Sequence, residues 1–420
     1  MNNKPGRAKV NMKRRDFLKA AAASSAAIAL SPGLVSNARA ATDILVGSIH
    51  DLSGSLDANG KPMQDAMVFA VEEINAAGGL LGGPIKIVTK DPQSSMQQYA
   101  QLAQELALRD KVAVLHGGIT SASREVIRPI MHKTNTLYFY NTQYEGGVCD
   151  RNTFCTGQTP AQNLATSVPD IMGRWGKKIY IVAADYNYGH IVSQWVKKYA
   201  LENGGNILSI DFFPLDVTEF GTTVQKIQAA SPDFVFSALV GGAHVSFYRQ
   251  WAAAGMKGAI PMASSTFSHG QEHIVLNAWE SDGMLVPGNY FPSVDNPTNK
   301  TFTAAWAKRF GDDYPYITEL AVATYQGVHL WAKGVSKAGT LDRAKVIEAL
   351  ESGVSFDGPS GLISIDPATH HCTMDIRLGQ VKDKKWTILE TWPQRAPLDT
   401  SSVCDLIKNP DENQQFVIKI

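Results

Sequence analysis

Beyond its amino-terminal region the chain has no run approaching the ~20 apolar residues that a membrane-spanning helix needs, so no such helix is expected there. It has no surplus of either charge, with 39 Lys and Arg against 39 Asp and Glu, and so lacks the basic face that nucleic acid or an anionic membrane would require. Catalytic signatures are missing too. There is no G-x-S-x-G elbow and no G-x-G-x-x-G fingerprint after a strand. The segment from Gly54 to Lys61 is a failed phosphate loop: its spacing is one residue too long, and Pro62 stands where Ser or Thr would ligate magnesium. His269-Gly270-Gln271-Glu272-His273 has the order of an inverted zinc-protease motif, but Gly270 weakens the helix it needs and no third ligand is evident. His370-His371-Cys372 lacks a fourth zinc ligand. No enzyme, metal or cofactor is therefore expected.

Cysteine is scarce, with four in 420 residues and none near the start. That start carries an export signal: Lys13-Arg14-Arg15-Asp16-Phe17-Leu18-Lys19, a mildly apolar Ala-rich run to Leu34, then Ala38-Arg39-Ala40. The Arg pair with Phe-Leu-Lys is of the twin-arginine type, and residues 1–40 are expected to be removed, leaving a periplasmic protein without a lipid anchor. Eight basic residues but only Asp16 among the acids lie in that leader, so the mature chain has 31 basic and 38 acidic residues, a formal charge of −7. In an oxidising compartment the cysteines are expected to pair. Cys149 and Cys155 bracket a short polar loop whose closure would contribute about 2 kcal/mol. Cys372 and Cys404 form a second candidate pair.

The remaining length suggests two domains. The chain alternates strand and helix: Ile44–Ile49, a helical pattern from Lys61 to Ala77, Ile85–Thr89, and a helix from Gln97 to Arg109. The organising stretch is Val112–Gly146. Val112 to Leu115 reads as a buried parallel strand, Gly117-Gly118 break it, and Thr120, Ser121 and Ser123 open a helix; Thr136 to Tyr140 is a second such strand, ending in Asn141, Thr142, Gln143 and Tyr144. Two neighbouring strands thus deliver hydroxyls and free N–H groups to the carboxyl edge of a sheet, where open α/β folds bind ligands. A Ser here can also serve only as a helix cap. Further on, Lys178–Ala184 leads into Asp185-Tyr186-Asn187-Tyr188-Gly189, Asp233–Val240 into Gly241-Gly242-Ala243-His244, and Pro261–Ala263 into Ser264-Ser265-Thr266.

Val46-Gly47 with Asp51-Leu52-Ser53-Gly54, followed by Ala70-Val71-Glu72-Glu73-Ile74-Asn75-Ala76-Ala77-Gly78-Gly79, resembles the amino end of type I periplasmic binding proteins, which include the branched-chain amino-acid receptors of ABC importers. Within that group Thr120-Ser121-Ala122-Ser123-Arg124, Gln143-Tyr144-Glu145-Gly146, Asp185-Tyr186 and Asp366-Pro367 with His370-His371 resemble the urea and short-chain amide branch. The resemblance covers residues 43 to 390. It implies two doubly wound parallel-sheet α/β lobes joined by a three-strand hinge, with a ligand cleft between them that shuts on binding. The implied parts are 41–160 with 290–355 as lobe 1, 161–289 with 356–390 as lobe 2, and 391–420 as a carboxy-terminal tail, with crossings near Pro160, Tyr290 and Phe356. It implies that Ser121 and Thr142 bind the ligand's polar head, that Tyr186 covers it with Tyr188 at the rim, and that Gln143, Tyr144 and Glu319 join the site; Gly241 and His244 are added as residues at the end of a strand. His244 departs from the urea pattern, which puts plain urea in doubt. The expected function is that of a monomeric or weakly dimeric receptor handing a small amide, urea-like compound or amino acid to the membrane permease subunits of an ABC importer. The alternative is a ligand-sensing regulator of the amide-binding type, against which the export signal speaks.

Overall fold

The structure, a computed structural model, describes residues 43–418. The export signal and its cleavage site lie outside them. From the amino end the chain lays down β1 (Ile44–Ile49), α1 (Asp57–Ala76), β2 (Ile85–Thr89), α2 (Met96–Gln104), β3 (Val114–Gly117), α3 (Ser121–Lys133), β4 (Leu137–Tyr140), β5 (Val148–Asp150) and β6 (Thr153–Cys155). Five of these strands form one parallel sheet in the order β2-β1-β3-β4-β6. Its central strands β3 and β4 are buried along their whole length, whereas the edge strand β2 exposes Lys86 and Thr89.

Then come α4 (Pro160–Trp175), β7 (Lys178–Ala184), α5 (Asn187–Glu202), β8 (Asn206–Phe213), α6 (Gly221–Ala230), β9 (Phe234–Ala238), α7 (Gly242–Ala253), β10 (Met262–Ser264) and β11 (Leu285–Gly288). β7 to β11 are the parallel part of the second sheet. After α8 (Pro297–Phe310), α9 (Glu319–Ala338) and α10 (Arg343–Glu351) the chain adds β12 (Ser355–Gly358), β13 (Gly361–Ile365), β14 (Cys372–Lys382) and β15 (Lys385–Arg395). β14 joins β11 antiparallel and β15 joins β14, so the second sheet is mixed at this edge.

Each lobe has its own core. In the first, α9 packs along α1, and Phe69 meets Phe302 and Trp306 edge-on at 5.8 and 5.5 Å, pairs that add about 0.5–1.5 kcal/mol each beyond the area they bury. We assign the crossings by core membership. The chain enters the second lobe at α4, started by Pro160 at its first position and by Gln162, which accepts from the Thr159 N–H at 2.9 Å. It returns at Tyr290, which is buried in the first core. The third crossing is not near Phe356: Ile363, Ile365, Cys372, Met374 and Ile376 still pack in the first core, and only Leu378 and Val381 enter those of the second lobe. The passage thus lies inside β14, because the β12–β13 hairpin needs the flank of α9 to bury its apolar face.

Two further expectations are corrected. Residues 391–420 are not a free tail, since β15 runs to Arg395 and a segment beyond it folds back to place β16 (Asn413–Gln415) antiparallel on β5. The disulfide joins Cys149 to Cys404, not to Cys155. Cys149 lies on β5, which leaves the main sheet for β16, while Cys155 sits in that sheet opposite Tyr140. Cys372 is buried in the first core, away from Cys404. Burial pushes the Cys155 thiol up to about 12 and raises that of Cys372 as well, so neither is a reactive thiolate at neutral pH.

Candidate functional site, an interlobe cavity

A small cavity lies between the lobes. The first lobe contributes Asn59, Ile119, Thr120, Ser121, Tyr140, Thr142, Gln143 and Leu320; the second contributes Tyr186, Tyr188, Val240, Gly241, His244, Thr266, His269 and Glu272. These residues come from strand ends and from the starts of α1, α3, α5, α7 and α9. Five helix N-termini therefore converge on one space and make it electropositive in backbone potential.

The start of α3 is built with care. Thr120, not Ser121 or Ser123, is its cap, accepting the Ser123 N–H at 3.1 Å. Ser121 occupies the first helical position, whose N–H no residue of the helix can accept. Its hydroxyl, expected to reach the ligand, instead donates to Glu145 Oε2. The preceding turn is held from β4, where the Tyr138 and Tyr140 hydroxyls each donate at 2.8 Å, to Gly117 O and Ile119 O. Thr142 donates to Gly118 O at 3.3 Å and lines the same wall.

Of the other expected residues, Tyr144 is the clear departure. It is fully buried outside the cavity, its hydroxyl pairs with His371 Nε2 and accepts from Val148 N, and the guanidinium of Arg124 lies 4.3 Å over its ring. Its place after β4 looked like a strand-end site, but the chain turns there toward β5 and takes the ring with it. Gln143 borders the cavity with its amide nitrogen committed across the cleft, to Tyr188 Oη at 2.9 Å and to the Ser265 carbonyl. Tyr186 packs on Tyr188 with ring centroids 6.1 Å apart, and burial raises both phenols, so they stay neutral. Gly241 caps α7 at φ 70° and ψ −149°, a conformation open only to glycine.

Imidazoles of the second lobe stand beside two carboxylates here, Glu272 of the same lobe and Glu319 at the start of α9 in the first. Thr266 Oγ1 donates to Leu239 O at 2.7 Å, so in its 2.9 Å contact with His244 Nε2 the ring is the donor; His244 Nδ1 then lies 3.6 Å from Glu272 Oε1. Burial acts to raise the Glu272 carboxyl, but His244 outweighs it and holds the group below the ordinary carboxylate range. Glu319 Oε1 accepts the Asn289 N–H at 2.9 Å, while its Oε2 stands 3.5 Å from His269 Nε2; both of these atoms are buried without a hydrogen-bond partner. Sequence reasoning met His269 and Glu272 only as a rejected zinc motif, although they follow the carboxyl end of a strand, which is where a site residue should stand.

Residues 43–385 match the family described as periplasmic binding protein. The chain belongs to that family. This binding protein is 25% identical over 356 residues to Leu/Ile/Val-binding protein homolog 6 of Brucella melitensis biotype 1, covering 83% of this chain and 90% of the relative. It is similar to the solute-binding protein of an R. palustris ABC transporter solved in complex with 4-hydroxybenzoate, at TM-score 0.76 and 25% identity over 85% of this chain and 98% of that one. It shares its fold with an amino acid ABC transporter substrate-binding protein from Pseudomonas fluorescens Pf-5, at TM-score 0.78 and 20% identity over 87% and 100% of the two chains. Residues 11–31 match a twin-arginine translocation signal, so the protein is exported to the periplasm by that route. Among the described residues no helix is long and apolar enough to cross a membrane. It is a periplasmic solute-binding protein of an ABC transporter, a receptor and not an enzyme, and its partners are a small molecule and the transporter's membrane subunits.

Proposed function

We propose that, of the ligands expected from the sequence, an amino acid suits this cavity better than an amide or a urea. The observation that carries the reading is a pair of opposed walls. At the start of α3 an unspent helical N-terminus favours a carboxylate. Across from it, Glu272 of the second lobe offers an acceptor to an ammonium group, and Glu319, next to the lining residue Leu320 but not itself on the lining, adds a carboxylate whose Oε2 has no hydrogen-bond partner. An uncharged amide or urea would leave both walls without their complementary charge. Tyr140, Tyr186, Tyr188, Ile119 and Leu320 would enclose an apolar side chain, in keeping with a relative named for Leu, Ile and Val. A second reading is an aromatic acid such as 4-hydroxybenzoate, favoured by the same tyrosines and by the R. palustris neighbour; its hydroxyl would then meet His269.

A thermal-shift panel of L-leucine, L-isoleucine, L-valine, 4-hydroxybenzoate, benzoate, acetamide and urea separates these. A ligand at a hundred times its Kd adds about 2.7 kcal/mol, and the aliphatic amino acids are expected to give the largest shifts. Stabilisation by 4-hydroxybenzoate alone would select the second reading. Stabilisation by acetamide or urea alone would refute both. Glu319→Gln keeps the acceptor for Asn289 and removes the charge. It is expected to weaken L-leucine roughly ten- to hundredfold, the worth of a charged hydrogen bond of about 1.5–3 kcal/mol, with little change in the melting of the free protein. Equal affinity for L-leucine in this variant would remove Glu319 from the site.

A further inference from the structure

The segment after Arg395 crosses the molecule as a strap. Its first turn holds the buried Asp399, whose carboxylate accepts from Thr159 Oγ1 and Ala161 N, both at 2.8 Å, and so caps α4 where the chain enters the second lobe. Cys404 then ties it to Cys149. β16 zips onto β5, and two of its side chains reach α3 one helical turn apart: Asn413 accepts from Arg128 and Gln415 from Arg124. At its end Ile418 is buried with a core of the second lobe.

Gln415 does more than anchor the strap. While its Oε1 accepts from Arg124, its Nε2 donates to Glu145 Oε1. Glu145 is 1% exposed and also takes Arg124 Nη2 at 3.1 Å, and its other oxygen receives the Ser121 hydroxyl. A chain of hydrogen bonds therefore runs from the strap through Glu145 to a residue of the cavity wall, although no residue of the strap lines the cavity. Gln415 is half-buried at the outer end of this network, while Arg124, Glu145 and Ser121 are buried, and there each partner fixes the next because an unpaired member has no water to turn to.

We propose that the carboxy-terminal strap is a positioning element of the ligand cavity: Gln415, acting through Glu145, fixes Ser121 and the first turn of α3 in the geometry that meets the ligand. This rests on the reading of the interlobe cavity as the binding site. Gln415 and Glu145 are positioning residues and need not touch the ligand. The disulfide serves the same end by keeping β16 in register.

Gln415→Met keeps the length of the side chain and removes its three hydrogen bonds, to Arg124, Glu145 and the Gly146 carbonyl. In the free, oxidised, mature protein it is expected to speed amide exchange in residues 119–125 about tenfold, with the peptides of β1 and α1 unchanged. In a Ser121→Ala background, where the relay is already cut, the same substitution is expected to add less than twofold. Unchanged exchange at 119–125, equal acceleration throughout the first lobe, or a full tenfold effect in the Ser121→Ala background would each overturn the proposal. Titration with L-leucine is expected to show about tenfold weaker binding in Gln415→Met. If the unaltered protein ignores L-leucine, the ligand class proposed above fails, and the exchange comparison decides the strap by itself.

Discussion

Lowering the pH from 7 to 5 is expected to remove roughly 8 kcal/mol of folding stability. Four imidazoles are responsible. Burial pushes His50 and His273 down to about 4, and His116 and His371 down to about 3; ring hydrogen bonds to the oxygens of Gln64, Asn141 and the Thr369 backbone, and the charge of Glu272, offset only part of this. All four are 1% exposed or less. In the unfolded chain each titrates near 6.5. Below that pH the unfolded state takes up protons that the native state refuses, so the stability these groups contribute is complete above 6.5 and is lost as the pH falls toward 4 and then 3. Each costs about 1.4 kcal/mol per pH unit in that window, hence about 2 kcal/mol at pH 5 and four times that together. Buried Asp51 and Asp399 oppose the trend: burial raises their carboxyls, so the native state binds protons first there and gains on acidification. Urea unfolding at pH 7, 6 and 5 measures the slope. A flat profile would mean that these rings accept protons in place, and His50→Gln is expected to reduce the slope by about a quarter.

Reducing the Cys149–Cys404 bridge is the second large effect, at about 5 kcal/mol. The bridge spans 255 residues, and in the chain-entropy account the stabilisation rises with the logarithm of the loop it closes. For a folded unit of this size the entropy of unfolding is about 0.8 kcal/mol per degree, which turns that loss into a fall in Tm of about 6 °C. Calorimetry of the Cys149→Ser/Cys404→Ser pair against the oxidised protein checks it. A change under 1 °C would show that the unfolded chain is held together by other means. The short Cys149–Cys155 bridge expected from spacing would have given less than half as much, so the magnitude also reports on the pairing.

What could be read beforehand was whatever the chain states locally. The apolar runs of β1, β3, β4, β7 and β9, and the turns after them, announce a parallel sheet with its ligand edge; Thr142 and Tyr186, named through the family resemblance, and His244, named from its strand end, line the cavity. Contacts between distant segments were silent. Nothing near Cys149 says that Gln414 will lie opposite it and bring Cys404 along. Ser121 advertises a free hydroxyl until Glu145 claims it, and Tyr144 is a strand-end tyrosine until the chain turns toward β5. Residues 396–418 show no periodicity because a strap held by separate contacts has no repeating face to bury. His269 and Glu272 were in plain sight, but their spacing suggested a metal before the fold showed a cavity.

Gln143 carries a kinetic consequence. Its two bonds to Tyr188 and Ser265 exist only while the lobes are shut, and at about 1 kcal/mol each they add roughly 2 kcal/mol to the work of parting them. That work falls on departure and not on arrival, so it lengthens the dwell time of the cargo roughly thirtyfold without altering how fast cargo is found. Retention in this receptor is therefore expected to depend in part on a side chain whose amide nitrogen grips the facing lobe, whatever molecule lies between them.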